Sequence, residues 1–116
     1  MVHAGWRGLD GGVLDDGLRA LRELGGRGAV IALIGPGAGG ECYEVGDDLR
    51  ARFATASRTL DLKAIAADKL RAGGVAEVHD VGLCTMCGRE DSHPLFFSHR
   101  RDGPLTGRQA GLAWLS

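Results

Sequence analysis

Ala29-Val30-Ile31-Ala32-Leu33-Ile34 is the longest apolar run of the chain, and a glycine flanks it on each side. An uninterrupted apolar run of this length is typical of a β-strand that is buried on both faces, in a sheet covered by helices. The run is also far shorter than the roughly 20 residues that a membrane-spanning helix needs. It therefore predicts the central strand of an α/β protein and gives no indication of a membrane partner.

The segments around this strand alternate between helical and extended patterns. Apolar residues recur at helical spacing in residues 9–24, 46–54 and 61–72. Further strands are predicted at residues 75–81, 95–99 and 109–115, and residues 2–4 are predicted to end another strand. Residues 82–94 and 100–104 are predicted as a loop and a turn, and Trp6 and Trp114 as core residues. Helices that alternate with strands predict an α/β sandwich.

Length and charge narrow the class of protein. The chain has 116 residues, the size of one ordinary domain, and 14 Lys and Arg against 15 Asp and Glu give a net charge of -1. No basic surplus is available to attract nucleic acid or an anionic membrane. No secretory leader is recognised, and the 3 cysteines cannot all pair within one chain, which favours a reducing compartment. We expect a single-domain cytoplasmic protein without a nucleic-acid partner.

A glycine-rich loop, Gly35-Pro36-Gly37-Ala38-Gly39-Gly40, follows the apolar strand directly. Backbone N–H groups in such a loop could cradle a phosphate. The loop lacks the closing Gly-Lys-Ser/Thr of a P-loop, and it opens no clear long helix of the kind a dinucleotide site requires. A tight crossover, in which two backbone segments pass closely, is the interpretation that the sequence favours.

Cys84 and Cys87 form a Cys-x-x-Cys pair, with His79 and His93 nearby in the sequence. Such a pair can ligate zinc. The histidine spacing does not fit a zinc finger, and no second Cys-x-x-Cys is present. The favoured interpretation is a buried thiol at Cys84 beside an incidental exposed thiol at Cys87, with zinc binding as the alternative.

Polar residues at two predicted strand ends are candidates for ligand binding. His3 would emerge where a strand ends, a common ligand position in open sheets, although a packing role is the alternative. Arg100 and Arg101 suit bidentate recognition of phosphate or carboxylate. Alternatively, one arginine pairs with Asp102 or Glu44 while the other is solvated, and the sequence leaves both interpretations open.

Seven short blocks together resemble one family. They are His3-Ala4-Gly5-Trp6-Arg7-Gly8, Ile34-Gly35-Pro36, Cys42-Tyr43-Glu44-Val45-Gly46, Leu60-Asp61-Leu62, Cys84-Thr85, Phe96-Phe97-Ser98-His99-Arg100-Arg101-Asp102 and Thr106-Gly107-Arg108. They occur in the order found in the laccase-domain family, long called polyphenol oxidases or multicopper oxidase-like and later described as purine nucleoside phosphorylases. The resemblance extends over the whole chain.

The resemblance implies a three-layer α/β/α sandwich with a mixed sheet, incomplete in this chain, and a cytoplasmic zinc enzyme. Members phosphorolyse adenosine, inosine, guanosine and methylthioadenosine, and deaminate adenosine. Their metal, for which copper is an alternative, is held by two histidines and a cysteine. His3 matches the second of those histidines, so the resemblance implies that His3 is a metal ligand and a catalytic residue.

The resemblance also suggests which residues contact the substrates, purine nucleosides and phosphate. Phosphate needs cationic and N–H contacts, and cleavage of the glycosidic bond develops positive charge that a carboxylate can stabilise. The candidates by residue type and position are Arg7, Gly35, Gly37, Glu44, Arg100 and Arg101.

The remaining metal ligands of the family belong to segments that precede His3, and these 116 residues do not contain them. We therefore expect residues 1–116 to be the carboxy-terminal portion of a laccase-type domain, inactive alone or completed by a missing amino-terminal half or by homo-oligomerisation. The alternatives are a polyphenol oxidase, which 4 scattered histidines argue against, a cysteine-type hydrolase, and a non-catalytic half-domain that self-associates.

Overall fold

The computed structural model describes residues 1–114. Its helices and strands follow the chain in this order: α1 (Trp6–Asp10), α2 (Val13–Glu23), β1 (Ile31–Ile34), α3 (Asp47–Arg52), α4 (Leu62–Ala72), β2 (Glu77–Asp80), β3 (Arg89–Glu90), β4 (His93–Pro94) and α5 (His99–Asp102). The predicted α/β class is confirmed by this mixture of helices and strands. The three-layer sandwich stays a prediction.

The two central strands, β1 and β2, are parallel neighbours. Ile31 lies opposite Glu77 and Ile34 opposite Asp80. One further bridge, between Gly37 and Cys84, prolongs the pairing past the strand ends. The carboxyl ends of both strands therefore meet at one edge, and the segments that follow them run side by side. A separate antiparallel pair is formed by β3 and β4.

Helix α4 holds the core together, because it contacts α1, α2 and both central strands. Asp61 caps its first turn by accepting a hydrogen bond from the N–H of Ala64 at 2.9 Å. Leu9 of α1 is wholly buried at the centre of the apolar cluster. The other buried members of that cluster are Leu14, Leu18, Ala66, Leu70 and Val75.

The prediction that the central strand is buried on both faces is wrong. Ala32 and Ile34 of β1 pack against the core cluster, whereas Ile31 and Leu33 are 62% and 71% exposed. In residues 1–114, the helix that contacts this strand pair is α4, so only one face of the strand is covered. An apolar run specifies that both faces are suited to burial, but not which partner covers each face.

The predicted helix at residues 9–24 is two helices. The first helix begins earlier than predicted, at Trp6, and the second begins directly after Gly12. Gly12 has a positive φ of 84°, a backbone conformation that interrupts a helix and that glycine adopts readily. The helices predicted at residues 46–54 and 61–72 are confirmed as α3 and α4. The predicted strand at residues 75–81 is confirmed as the shorter β2.

Three predicted extended segments differ from the structure. Residues 2–4 form no strand. The predicted strand at residues 95–99 is instead an irregular segment that leads into α5, and Ser98 caps this helix by accepting a hydrogen bond from the N–H of Arg101. The predicted loop at residues 82–94 contains the β3–β4 pair. Residues 109–114 form no strand, and Leu115 lies outside the described residues.

Two further predictions concern exposure to solvent and membrane. Trp114, predicted as a core residue, is 81% exposed, whereas Trp6 is half-buried. Among the helices of residues 1–114, none is long and apolar enough to cross a membrane.

Candidate functional site

An open cleft of about 630 Å³ lies beyond the carboxyl ends of β1 and β2. Its walls come from the glycine-rich loop after β1, the segment after β2 and the first turns of α4. This edge of a parallel sheet is where open α/β folds place their ligands. The polar residues of the wall include Cys42, Asp61, Lys63, Asp80, Cys84 and Cys87.

Three cysteines meet in this cleft. The Sγ atoms of Cys42, Cys84 and Cys87 all lie within 4.8 Å of one another, and those of Cys42 and Cys87 are 2.9 Å apart. The bridge to Gly37 positions Cys84, and a turn closed by the bond from the N–H of Gly88 to the carbonyl of Cys84 brings Cys87 back to it. All three thiols are unpaired by disulfides.

The surroundings of the three thiols separate their pKa values. Burial opposes ionisation of Cys84, but the N–H groups of Cys87, Gly39 and Met86 all donate to its sulfur, and the Cys84 pKa falls to about 6. The hydrogen bond to the Cys87 thiol, then burial, then the hydrogen bonding and charge of Cys84 raise the pKa of Cys42 to about 12. The cluster therefore places the readily ionised thiol of Cys84 beside the Cys42 thiol, which stays protonated at neutral pH.

The interpretation that the sequence favours is a buried thiol at Cys84 beside an incidental exposed thiol at Cys87. Cys87 is exposed as predicted, but Cys84 is only half-buried and its sulfur converges with that of Cys87, so the two thiols are not incidental neighbours. The alternative of zinc binding stays a prediction, without the two nearby histidines among the converging ligands. His79 contacts Glu77 at 3.0 Å, His93 contacts the carbonyl of Asp91, and neither belongs to the cysteine cluster. Cys42 takes part instead. The signal for Cys42 is indirect: it lies shortly after one predicted strand, as Cys84 lies after the next.

His3 lies in a separate, shallow cleft of about 250 Å³ beside α1, lined by residues 3 and 5–8. The guanidinium of Arg7 stacks 4.3 Å from the centroid of the Trp6 ring. Within residues 1–114, the guanidinium of Arg7 has neither a hydrogen-bond acceptor nor an ion pair. It is therefore available to an anion, and the half-buried indole of Trp6 offers an aromatic surface next to it.

The family's implied zinc does not fit His3 with the residues present. The lining of the His3 cleft includes no second histidine, cysteine or carboxylate. Across residues 1–114, the group of potential metal ligands that converges is Cys42, Cys84 and Cys87, and His3 is not part of it. A single exposed imidazole does not hold a catalytic metal, which has three protein ligands.

The two adjacent arginines have different surroundings. The guanidinium of Arg101 uses all five of its N–H groups: it forks onto the Asp102 carboxylate and donates to the carbonyls of Thr85, Met86 and Phe96. The hydrogen bonds from Arg101 are the largest of the influences that lower the pKa of Asp102. The sequence leaves two interpretations open for these arginines, ligand binding or pairing with a carboxylate. Arg101 pairs with the Asp102 carboxylate.

Arg100 is exposed, and within residues 1–114 it is not paired with a carboxylate. Its guanidinium stacks 4.3 Å from the centroid of the buried Tyr43 ring and donates to the backbone carbonyl of Glu44 at 2.6 Å. The carboxylate of Glu44 is exposed. The described contacts leave most N–H groups of Arg100 without an acceptor among residues 1–114.

The glycine-rich loop forms a tight crossover. The N–H of Gly37 donates to the carbonyl of Leu83, and the N–H of Thr85 donates back to Gly37. A Cβ on Gly40 would lie 2.7 Å from the Cβ of Asp61. Because Gly37 and Gly39 both use their N–H groups within the protein, a phosphate cradle built on them would have to break existing bonds. Gly35, at the exposed start of the loop, lies directly after β1.

Comparison with known proteins places these residues in a family. A family model described as multi-copper polyphenol oxidoreductase laccase matches residues 1–116. The purine nucleoside phosphorylase of Xylella fastidiosa strain Temecula1 is 38% identical over 99% of this chain and 48% of its own length. Those of Streptomyces coelicolor and Escherichia coli K12 are 38% and 33% identical, each over 98% of this chain and over 50% and 49% of their own lengths.

The chain thus spans about half the length of the curated relatives it matches. No solved structure matches it. The match over the whole chain agrees with the order of the sequence blocks, so the chain belongs to the multi-copper polyphenol oxidoreductase laccase family, whose relatives named above are purine nucleoside phosphorylases.

Proposed function

We propose that residues 1–116 form the carboxy-terminal portion of a cytoplasmic purine nucleoside phosphorylase, acting on adenosine, inosine, guanosine and methylthioadenosine, with adenosine deamination as a second activity. The names of the relatives support the phosphorolysis class. The observation that carries the proposal is the juxtaposition of His3, Trp6 and an unpaired Arg7 in one cleft.

Phosphorolysis exchanges one bond at the sugar. The bond between C1′ and the base nitrogen breaks, a phosphate oxygen bonds to C1′, and the base leaves with its electron pair and takes up a proton. A protein therefore has to hold a phosphate dianion against C1′ and stabilise the positive charge that develops there. The guanidinium of Arg7 can bind phosphate bidentately, and Trp6 can hold the apolar face of the nucleoside.

Arg100 and Glu44 are the second pair that we assign to the substrates. Arg100 is held against Tyr43 with N–H groups to spare, which suits a further phosphate contact. The exposed carboxylate of Glu44 can stabilise positive charge at C1′. We assign Gly35 and Gly37 to the shape of the adjoining loop, and Arg101 to holding that region of the chain together, because a substrate would have to displace its five hydrogen bonds.

His3 contributes only one of the ligands that the family's metal needs. The catalytic role of His3 therefore depends on ligands outside residues 1–116, supplied by an amino-terminal half or by another copy of the chain. The exposed apolar side chains of Ile31 and Leu33 on β1 support such an association, because an uncovered sheet face of this kind suits burial against a partner.

Fluorescence titration tests the substrate cleft without requiring turnover. The chain has 2 tryptophans, one in the cleft and one exposed near the end of the described residues. We expect inosine to quench the emission of the unmodified chain and of Trp114→Phe, but not of Trp6→Phe. Quenching that survives in Trp6→Phe contradicts the assignment.

Phosphate binding is tested by a second matched pair. We expect Arg7→Ala to weaken phosphate binding about tenfold or more, as expected for loss of a charge-assisted bidentate contact. Arg27→Ala, which removes an exposed arginine away from this cleft, should leave phosphate binding unchanged. Equal phosphate affinity of the two variants would rule out Arg7 as the phosphate ligand.

A further inference from the structure

We propose that Cys42, Cys84 and Cys87 bind one zinc ion through their three sulfurs, in a site distinct from the metal position that the family implies for His3. The three Sγ atoms already converge within 4.8 Å, although the cysteines come from segments 45 residues apart. The inference rests on these contacts and does not depend on the proposed phosphorylase activity.

The spacing of the sulfurs suits a tetrahedral cation. Zinc–sulfur bonds of about 2.3 Å in tetrahedral geometry place the sulfurs roughly 3.8 Å apart. The 2.9 Å separation of Cys42 and Cys87 is shorter than this, and the cluster's 4.8 Å limit is longer. Movements of about 1 Å or less in the side chains of two loop residues would therefore complete the coordination. Cys87 is exposed, so its side chain has room to make that movement.

The surrounding chain holds this arrangement before any ion binds. The N–H of Gly39 donates to the sulfur of Cys84 from the loop that carries Cys42. The guanidinium of Arg101 donates to the carbonyls of Thr85 and Met86, the two residues that separate Cys84 from Cys87. Because the backbone around the three cysteines is already ordered, zinc binding pays little conformational entropy, which favours binding.

The donor set and the open side of the cluster define the chemistry of the site. Three sulfurs without a carboxylate or imidazole among the converging ligands select a thiophilic cation such as zinc over magnesium or calcium. All three cysteines line the 630 Å³ cleft, so the fourth position of a tetrahedral ion would face solvent in that cleft. Three protein ligands with one open position are the pattern of a zinc site that can take an exogenous ligand.

Metal analysis of the complete chain tests the inference. The chain is purified under reducing conditions, and bound zinc is measured by mass spectrometry after removal of free metal. We expect one zinc ion per chain in the unmodified protein and in His3→Ala, and at least a tenfold loss of zinc affinity in Cys84→Ser and Cys87→Ser. Cobalt substituted for zinc should show sulfur-to-cobalt charge-transfer absorption in the first two proteins only.

A variant could lose zinc because it misfolds, so thiol alkylation of the unmodified chain provides a test that needs no variant. In the unmodified chain, zinc should slow alkylation of Cys42 and Cys87 at least tenfold, and the protection should disappear with a chelator. The inference is overturned if the unmodified chain binds no zinc, if it retains copper in place of zinc, if zinc is lost with His3 rather than with the cysteines, or if Cys42 and Cys87 are joined by a disulfide under reducing conditions.

Discussion

Replacement of Arg101 by alanine should destabilise the fold without removing a substrate contact. The guanidinium of Arg101 joins three segments, because it donates to the carbonyls of Thr85, Met86 and Phe96 and pairs with Asp102. Its side chain is only 22% exposed. Alanine would leave those carbonyls without their donor and would release the turn between Cys84 and Cys87.

The size of the effect follows from these contacts. Each lost bond to a part-buried carbonyl is worth about 1 kcal/mol net, so the three carbonyls together give an expected loss of about 2–4 kcal/mol in the free energy of unfolding. The ion pair with Asp102 is nearer to solvent and screened, so it adds little. Arg101→Lys should recover less than half of the loss, because a lysine has three donors and no planar fork.

Urea denaturation, followed by far-UV circular dichroism, measures these differences. Arg108→Ala is the matched control, since the guanidinium of Arg108 reaches only the carbonyls of its neighbours Thr106 and Gly107. That control should change the free energy of unfolding by no more than about 0.5 kcal/mol. The reasoning is refuted if Arg101→Ala is as stable as Arg108→Ala, or if Arg101→Lys is fully stable.

Three further substitutions test the stability of the core, the loss of stability at acid pH (the acid limb of the pH–stability curve) and the crossover loop. Leu9→Ala, at the wholly buried centre of the core, should lower the free energy of unfolding by about 2–5 kcal/mol, whereas the control Leu24→Ala at an exposed position should change it little; equal urea midpoints would contradict the described core. Because Arg101 lowers the pKa of Asp102 in the folded chain, the unfolded chain binds the proton more readily, so the stabilisation is present above about pH 4 and is lost as pH falls through the folded value. Asp102→Asn should therefore flatten that part of the pH–stability curve, and an unchanged acid limb would count against the Asp102 pair. Gly40→Ala should destabilise by about 1–3 kcal/mol, because its Cβ would meet the Cβ of Asp61 at 2.7 Å; an unaffected thermal midpoint would show that the contact is not tight.

The local parts of the fold are predictable from the sequence. The apolar stripe of residues 61–72 and the capping residue Asp61 specify α4, because helix periodicity and capping act within one or two turns. The same reasoning identifies the strand at residues 29–34. It does not show that one face of this strand is uncovered, since the cover of a strand depends on elements far away in the chain.

The candidate sites depend on contacts that local patterns do not encode. Cys42 joins Cys84 and Cys87 only because β1 and β2 are parallel neighbours, a pairing across more than forty residues of sequence. The pair Arg100 and Arg101 is visible in the sequence, but the division of their roles depends on which carbonyls and rings the fold brings to each guanidinium. Sequence reasoning therefore finds the residue types, and tertiary structure assigns their partners.

The activity of a segment exchange tests the central claim most directly. Residues 1–116 of this chain would replace the matching segment of the Xylella fastidiosa relative, which they match at 38% identity, and release of hypoxanthine and ribose 1-phosphate from inosine and phosphate would be measured. If this chain supplies its part of a purine nucleoside phosphorylase site, the exchanged protein phosphorolyses inosine and its Arg7→Ala variant loses at least tenfold in rate. A folded, zinc-containing exchanged protein that releases no hypoxanthine, or one whose rate is unaffected by Arg7→Ala, would contradict the account.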